Sequence, residues 1–319
     1  MSQLFNLLRM LGQNKGKILL LLVSVLIWLV VLFPFSDLSD FMAEKIATMT
    51  NNQIFLHFSN LQISWWPLGL EFGDISVDTP ATGTLTAQEV IVSPSPAALF
   101  SRVPLGTVNA QGFCHGNLEI SIKSGKKSEA GVDRQRIEIK AEHLNLQDLR
   151  DVGQLQMALK GQLDLQGTML VDFSLGEQPE GDVLIQVEKF EIPAQTFNSL
   201  MGPINIPDLR LNTVELKGHI NAGHLNIEEG RVGHDGDEVR GSIKGGIAVV
   251  LNPPTGFQPQ LGPYSFDLDL TIKTALEERL NLFLVAVSQF KTSVGDSSRY
   301  RFRLSAQNPN FPPSMSALH

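Results

Sequence analysis

The chain has 319 residues, of which 43% are apolar and 18% are charged. This length is enough for one large or two ordinary domains. The composition excludes a disordered chain, and because most apolar residues are scattered it also excludes a membrane protein with several spans. The 25 basic side chains are outnumbered by 33 acidic ones, which gives a net charge of -8. This balance argues against nucleic-acid binding, which requires clustered Lys and Arg.

One apolar run stands apart near the N-terminus. Between Ile18 and Phe33 every residue except Ser24 is apolar, and residues 18–35 have the length of a transmembrane helix. Basic residues precede the run and acidic residues follow it, so the positive-inside rule places the N-terminus in the cytoplasm. The run therefore predicts a single-pass signal-anchor that includes Ile18, Leu22, Trp28 and Phe33.

A cleaved signal peptide is the competing interpretation of this run. We prefer an uncleaved anchor, because the run is longer than an ordinary signal-peptide core and no small-x-small cleavage site follows it. No later segment has the roughly 18 consecutive apolar residues of a second span. In a bacterium this organisation predicts a cytoplasmic N-terminus, an inner-membrane helix, a periplasmic β-rich domain and a Pro-rich flexible tail, at residues 1–17, 18–35, 36–308 and 309–319.

Two amphipathic helices are predicted in the exported part. The first begins after Ser36, and its apolar residues recur at helical spacing at Leu38, Phe41, Met42, Ile46 and Met49. The second begins at Thr274, which has the spacing of a capping box with Glu277, and it continues to Val287. We expect this second helix to pack on the sheet, where it covers one end.

The remaining sequence alternates with the period of two that is typical of half-buried strands. The longest alternation runs from Leu155 to Leu175 without a change of parity, whereas a two-residue hairpin turn would reverse the parity. It therefore predicts one or two long bent strands, or strands joined by an odd-length turn. Gly161 and Gly167 lie on the apolar side, where they predict a bend or a bulge. The predicted fold is mainly β, an elongated, curved antiparallel sheet with a few short helices.

The apolar side of this segment has two interpretations. It is either the closed core of a sandwich, which we prefer from the sequence, or a groove that holds acyl chains. Burial of an acyl chain is favourable by about 0.8 kcal/mol per methylene group. The side chains concerned are Leu155, Met157, Leu159, Leu163, Leu165, Met169, Val171, Phe173 and Leu175.

No pattern of residues predicts catalysis, a cofactor or a metal. The sequence has no nucleophile elbow, phosphate loop or dinucleotide motif, and Cys114 is its single cysteine, which we interpret as a buried thiol in a core strand. One cluster of His and acidic residues is interpreted as strand ends and a turn, because its spacing is a weak metal motif. It consists of His219, His224, Glu228, Glu229, His234, Asp235 and Asp237.

The Trp65-Trp66-Pro67 motif is the last distinctive feature of the sequence. Trp favours half-wet apolar sites, so these rings are candidates for contact with a membrane interface or a partner. Because Trp is heavily buried on average, we prefer the interpretation that one ring covers the core at a strand-to-turn junction.

Several of these features together resemble a known family. The Phe33-Pro34 exit from the apolar run, the segment Asn60-Leu61-Gln62-Ile63-Ser64-Trp65-Trp66-Pro67-Leu68-Gly69-Leu70-Glu71-Phe72 and the repeated Leu-x-Gly patterns resemble the type II secretion system protein N family, in the version related to AsmA-like proteins. The resemblance covers nearly the whole chain. It implies a non-catalytic protein of the bacterial inner membrane whose partners are other secretion-system subunits. The AsmA-like relatives imply instead a curved sheet with a hydrophobic groove that binds or transfers phospholipid.

Overall fold

A computed structural model describes residues 55–79, 83–99, 105–128, 131–152, 157–174, 176–199, 202–251, 259–309 and 311–318, and scattered helical residues between Gly16 and Thr48. Trp28 is one of these helical residues, whereas Ile18, Leu22 and Phe33 of the predicted anchor lie outside the described residues. Over the part of the chain that is described, no helix has the length and apolar character needed to cross a membrane.

The helix predicted after the anchor is described at four positions only. Glu44, Lys45, Ala47 and Thr48 are helical, and the Thr48 hydroxyl donates a hydrogen bond to the Glu44 carbonyl oxygen over 2.8 Å. The apolar residues that predict this helix, Leu38, Phe41, Met42, Ile46 and Met49, lie outside the described residues.

Most of the described chain is β-structure. The strands are β1 (Phe55–His57), β2 (Asn60–Trp65), β3 (Leu68–Thr79), β4 (Gly83–Pro94), β5 (Gly106–Phe113), β6 (Gly116–Ser124), β7 (Gln135–Asn145), β8 (Lys160–Val171), β9 (Glu180–Ile192), β10 (Gln195–Ser199), β11 (Gly202–Ile206), β12 (Leu209–Asn221), β13 (His224–Val232), β14 (Val239–Leu251), β15 (Pro259–Lys273), β16 (Lys291–Val294), β17 (Ser297–Ala306) and β18 (Ser314–Ala317).

All but two of these strands form one large antiparallel sheet that follows the order of the chain. At one edge β1 and β2 both pair with β3, and at the other edge β16 and β18 both pair with β17. The strands β10 and β11 form a separate hairpin between β9 and β12. The prediction of a mainly β fold with a large antiparallel sheet and few short helices is confirmed.

Strand β8 corresponds to the long alternation in the sequence. It is a single strand that begins after Leu159, while Leu155 and Leu175 lie outside the described residues. The predicted bulge at Gly161 is confirmed: its φ is +140°, and the pairing with β9 shifts register there. No bulge occurs at Gly167, which pairs regularly with Ile139 and Val183.

Asp172 follows the last residue of this strand and is itself buried. Its carboxylate accepts hydrogen bonds from the backbone N–H groups of Ser174 and Gly176, each over 2.8 Å. Burial raises the pKa of Asp172, but the hydrogen bonds from Ser174, Gly176 and Glu177 outweigh burial and hold the pKa below its ordinary value. The turn that follows β8 is therefore closed around an ionised side chain.

Helices contribute little to the fold. The α-helices are α1 (Leu146–Val152), α2 (Thr274–Arg279) and α3 (Asn281–Leu284), and 3-10 helices occupy Pro96–Leu99 and Val285–Phe290. The last three helical pieces replace the single helix predicted after Thr274. As predicted, they pack on the sheet, where Leu276 and Val287 join Tyr300 and Phe302 in the main core cluster.

The predicted capping box at the start of α2 is wrong. The Thr274 hydroxyl donates to the carbonyl oxygen of Asp296 over 2.6 Å instead of capping the helix. The Glu277 carboxylate accepts hydrogen bonds from Ser298 over 2.5 Å and from Tyr300 over 2.9 Å, so it faces β17 and not the helix start. Desolvation and the Glu277 charge raise the pKa of Tyr300 to about 12.

The segment 309–319, predicted to be a flexible tail, contains a paired strand. Residues Ser314–Ala317 form β18 against β17, and the Ser314 hydroxyl donates to the Ser305 carbonyl oxygen over 3.0 Å. The prolines that suggest disorder end at Pro313, so every backbone N–H group of β18 remains available for pairing.

We expect the replacement Asp172→Asn to lower the free energy of unfolding by about 1–3 kcal/mol at neutral pH, because an amide nitrogen cannot accept the buried hydrogen bonds. The pKa of Asp172 is lower in the folded protein than in the unfolded chain. The carboxylate therefore stabilises the fold fully above the unfolded pKa of about 3.9, and this stabilisation is lost as the pH falls through the folded pKa. Urea unfolding of the full chain at several pH values measures both effects. The matched control is Asp133→Asn, because the Asp133 side chain is 74% exposed. An equal loss in the two variants would contradict the role of Asp172.

Candidate functional site

The apolar side of β8 continues onto its neighbours through the strand pairing. Leu165 lies opposite Ala141 of β7 and opposite Ile185 of β9. Residues that pair directly across antiparallel strands lie on the same side of a sheet. The apolar sides of these three strands therefore form one continuous surface.

The same pairing extends this surface across the whole sheet. Following the partners from strand to strand gives two adjacent rows that contain apolar residues and glycine and no polar side chain. The first row is Leu61, Phe72, Val90, Ala110, Leu118, Ala141, Leu165, Ile185, Leu216, Gly230, Ile243, Leu268, Phe302 and Ala317. The second row is Ile63, Leu70, Val92, Val108, Ile120, Ile139, Gly167, Val183, Gly218, Ile227, Gly245, Phe266, Leu304 and Met315.

A third row lies beside the second and reaches from β4 to β17. It consists of Pro94, Gly106, Ile122, Ile137, Met169, Gly181, Ile220, Leu225, Ile247, Tyr264 and Ala306. We call these three rows together the apolar face. At about 4.8 Å per strand, the two complete rows extend over roughly 60 Å.

Several residues at the centre of the apolar face are only half-buried, although Ala141 of the first row is buried. Ile139, Ile185, Leu216 and Ile243 all have intermediate exposure, whereas Leu276 under the C-terminal helices is 0% exposed. Two facing sheets interdigitate their side chains, so a tightly packed second sheet would bury these positions as well. The sheet thus presents partly accessible apolar surface at its centre.

Helices cover the apolar face at one end of the strands. Helix α1 follows β7 and contacts β4, β7 and β8, and the C-terminal helices contact β15 and β17. A small core cluster near α1 contains Cys114, Ala141 and Leu144. Among the described residues, the opposite strand ends are joined by turns and loops and by the 3-10 helix Pro96–Leu99.

The reverse side of the sheet is charged. Arg299 donates two hydrogen bonds to the Asp269 carboxylate over 2.7 and 2.5 Å, and Arg303 donates two to Asp267 over 2.6 and 2.9 Å. These arginines hold the pKa of both carboxyl groups below the ordinary range. The sheet therefore has one apolar face and one face of paired charges.

The predicted groove residues fall into three groups. Leu163, Leu165, Met169 and Val171 belong to β8, where Val171 is buried and the other three are half-buried. Met157 is 37% exposed and Leu159 half-buried before the strand begins, and Phe173 is half-buried in the turn after it. Leu155 and Leu175 lie outside the described residues. The closed core and the groove both stay predictions.

The cluster of His and acidic residues is divided among separate contacts. His219 contacts Asp182 over 2.8 Å, and Asp235 accepts a hydrogen bond from Arg240 over 2.8 Å. Asp237 accepts hydrogen bonds from the backbone N–H groups of Asn212 and His234, which closes the turn between β13 and β14. Within the described ranges, no group of three His, Cys, Asp or Glu side chains is placed to hold a metal ion.

Cys114 is buried, as predicted, but it lies in the turn between β5 and β6 and not in a core strand. Burial raises the pKa of its thiol, and the negative charge of Asp148 raises the pKa further. The neighbouring His115 side chain contacts Asp148 over 2.6 Å. A thiol that is held protonated is a poor nucleophile, so this group of residues does not have the properties of an activated cysteine site.

The prediction that a Trp of the Trp65-Trp66-Pro67 motif covers the core is wrong. Trp65 is 72% exposed and Trp66 is 95% exposed at the turn between β2 and β3. The adjacent Leu68 is 65% exposed. The hairpin projects these side chains beyond the end of the sheet.

Comparison with known proteins gives no match: no family model fits the chain, and no curated protein and no solved structure is significantly similar to it. The resemblance to the type II secretion system protein N family stays a prediction.

A pair of identical substitutions tests whether the apolar face is open. We expect Leu276→Ala to lower the free energy of unfolding by about 2–5 kcal/mol, because it leaves a cavity in a closed core. We expect Leu216→Ala to cost about 1 kcal/mol, because a half-buried side chain loses less burial and leaves no cavity. Urea unfolding of the full chain measures both, and equal losses would indicate that the face is a closed core.

Proposed function

We propose that this chain is a non-catalytic lipid-binding protein that holds the acyl chains of phospholipids against its apolar face. The observation that supports the proposal is the pair of unbroken rows on the half-buried face. Rows of this length require continuous pairing of apolar residues on successive strands, and one polar side chain at any position would interrupt them. A packed core would also exclude polar side chains, but it would bury these positions fully, whereas Ile139, Ile185, Leu216 and Ile243 are half-buried.

The energetics favour an acyl chain as the ligand. Burial of each methylene group in apolar surroundings stabilises the complex by about 0.8 kcal/mol, and the two complete rows of the face supply such surroundings without a polar interruption. A face of roughly 60 Å is several times longer than the ~15 Å depth of one leaflet of a bilayer. The face therefore has room for more than one lipid along its length.

The charged reverse side supports the same proposal. Its ion pairs, such as Arg303 with Asp267 and Lys123 with Glu138, keep that side hydrated. A sheet with one hydrated side and one apolar side carries lipid through water if the apolar side is shielded by curvature. Register shifts occur in six strand pairs of the sheet, and β-bulges bend the strands that contain them.

The proposal includes a location. If residues 18–35 form the membrane anchor that the sequence predicts, the sheet lies on the periplasmic side of a bacterial inner membrane. Phospholipid is then the most abundant apolar ligand that the face meets. The lipid would enter from the membrane surface and leave to an acceptor, without any covalent change.

Two photo-crosslinking variants test this function. A benzophenone amino acid replaces Ile139, which lies on the apolar face beside Gly167, or its neighbour Lys140, which lies on the reverse side. Adjacent residues of a strand point to opposite sides of the sheet, so the two variants differ in the face that they probe. After irradiation of bacteria that produce the full chain, we expect phospholipid adducts in mass spectra of the Ile139 variant only.

Three results would contradict lipid binding. Adducts of equal yield at both positions would indicate non-specific contact with lipid. The absence of adducts at Ile139 would leave the face without a ligand. A crosslink from Ile139 to another segment of the same chain would identify a protein layer over the face.

A second candidate function is that of a structural subunit of a secretion complex. The observation that favours it is the open edge of the sheet, because all four residues of β16 are exposed and an exposed edge strand pairs readily with a strand from another protein. Val294 of β16 is 52% exposed. A subunit of this kind would add to a larger assembly through such pairing.

Crosslinking at the edge tests this second candidate. We expect a photo-crosslinker at Val294 to capture other secretion subunits, identified by mass spectrometry, and a crosslinker at Lys244 on the reverse side of central strand β14 to capture none. Capture of no secretion subunit at Val294, or equal capture at both positions, would count against an assembly that uses this edge.

A further inference from the structure

The hairpin of β2 and β3 ends in a group of exposed apolar side chains, which we call the Trp tip: Trp65, Trp66, Pro67 and Leu68. Trp65 pairs with Leu68, so both lie on one side of the hairpin. Trp66 and Pro67 form the turn itself. Large side chains with this exposure are costly in water unless they bind something.

The apolar character of the Trp tip continues onto the neighbouring strand. Leu70 of β3 pairs with Val92 of β4, which is 36% exposed, and Pro94 and Pro96 beyond it are exposed as well. No Lys, Arg, Asp or Glu occurs at residues 61–70 or 90–99. The Trp tip therefore belongs to an uncharged corner of the sheet.

Two other connections between strands of the sheet have the opposite composition. The turn between β13 and β14 carries Asp235, Asp237 and Glu238. The loop between β6 and β7 carries Lys126 and Lys127. Turns at a water-exposed surface are normally polar, so the uncharged corner is distinguished from these other turns by its chemistry.

We propose that the Trp tip inserts into the interfacial region of a lipid bilayer. Trp is enriched at the level of the lipid headgroups, where the ring lies in apolar surroundings and the indole N–H group meets water. The absence of charge removes the desolvation cost that would oppose insertion. A protein partner of matched shape would satisfy the same rings, but residues 61–70 and 90–99 offer no Lys, Arg, Asp or Glu to pair with charges on such a partner.

The position of the hairpin in the chain agrees with a membrane as the occupant. It is the first hairpin of the described sheet after the apolar run that ends near Phe35, and residues 36–59 separate that run from β2. This connection of 24 residues, which includes β1, reaches no farther than about 85 Å even when fully extended. Insertion of the Trp tip would fix the orientation of the sheet against the membrane surface, and it does not depend on whether the apolar face binds lipid.

Fluorescence quenching tests the proposal with the full chain. The chain contains three tryptophans, so Trp28→Phe leaves Trp65 and Trp66 as the emitters. The variant is reconstituted into vesicles of phosphatidylethanolamine and phosphatidylglycerol that contain phosphatidylcholine brominated on its acyl chains. We expect blue-shifted emission and a loss of emission that is larger when the bromines lie near the headgroups than when they lie near the chain ends.

A second variant is the matched control. It combines Trp28→Phe, Trp65→Phe and Trp66→Phe with Phe311→Trp, which places one indole at a 63% exposed position at the other edge of the sheet. We expect this emission to stay red-shifted and unquenched.

Two results would overturn the proposal. Unquenched, red-shifted emission from Trp65 and Trp66 would place the rings in water. Unquenched, blue-shifted emission would place them against protein. Equal quenching at position 311 would show that the Trp tip has no special contact with lipid. Crosslinking at Ile139 tests lipid binding at the centre of the apolar face, whereas quenching tests insertion of the Trp tip. Failure of the lipid-binding function and failure of this proposal are therefore distinguishable.

Discussion

Strict alternation of side chains about the pleat is the constraint on which this structure depends. Residues that pair directly across antiparallel strands lie on the same side of the sheet. An apolar residue on one strand therefore determines which residue of the next strand lies beside it on that side, and the same holds from strand to strand. The rows from Leu61 to Ala317 and from Ile63 to Met315 are the result. A shift of one residue in one central pair would put charged side chains in the row and apolar side chains among the ion pairs. The register is thus fixed by both faces at once.

Stability is distributed unevenly over this sheet. The tightest burial is at Leu276 and Tyr300, where the C-terminal helices pack against the ends of β15 and β17. A second, smaller cluster lies near α1 around Ala141 and Leu144. The centre of the sheet relies on backbone pairing and half-buried neighbours. Both groups of helices lie at the same end of the strands.

Much of the sheet follows from the sequence alone, because a period of two that persists over many segments specifies strands with one apolar side. The bulge at Gly161 also follows, since only glycine adopts its φ of +140° readily. The exposure of the Trp tip does not follow, because burial of a Trp depends on what lies above the turn. The contacts of Glu277 escape prediction for the same reason: its partners Ser298 and Tyr300 are about twenty residues away in sequence.

Glycine recurs in the second row with a regularity that shapes the surface. Gly167, Gly218 and Gly245 come from β8, β12 and β14, and they alternate with Val183, Ile227 and Phe266 from the strands between them. The row therefore lacks a side chain at every second strand over this half of the sheet. Because Val183 and Ile227 stand between these glycines, the row is an interrupted ridge whose height changes from one strand to the next.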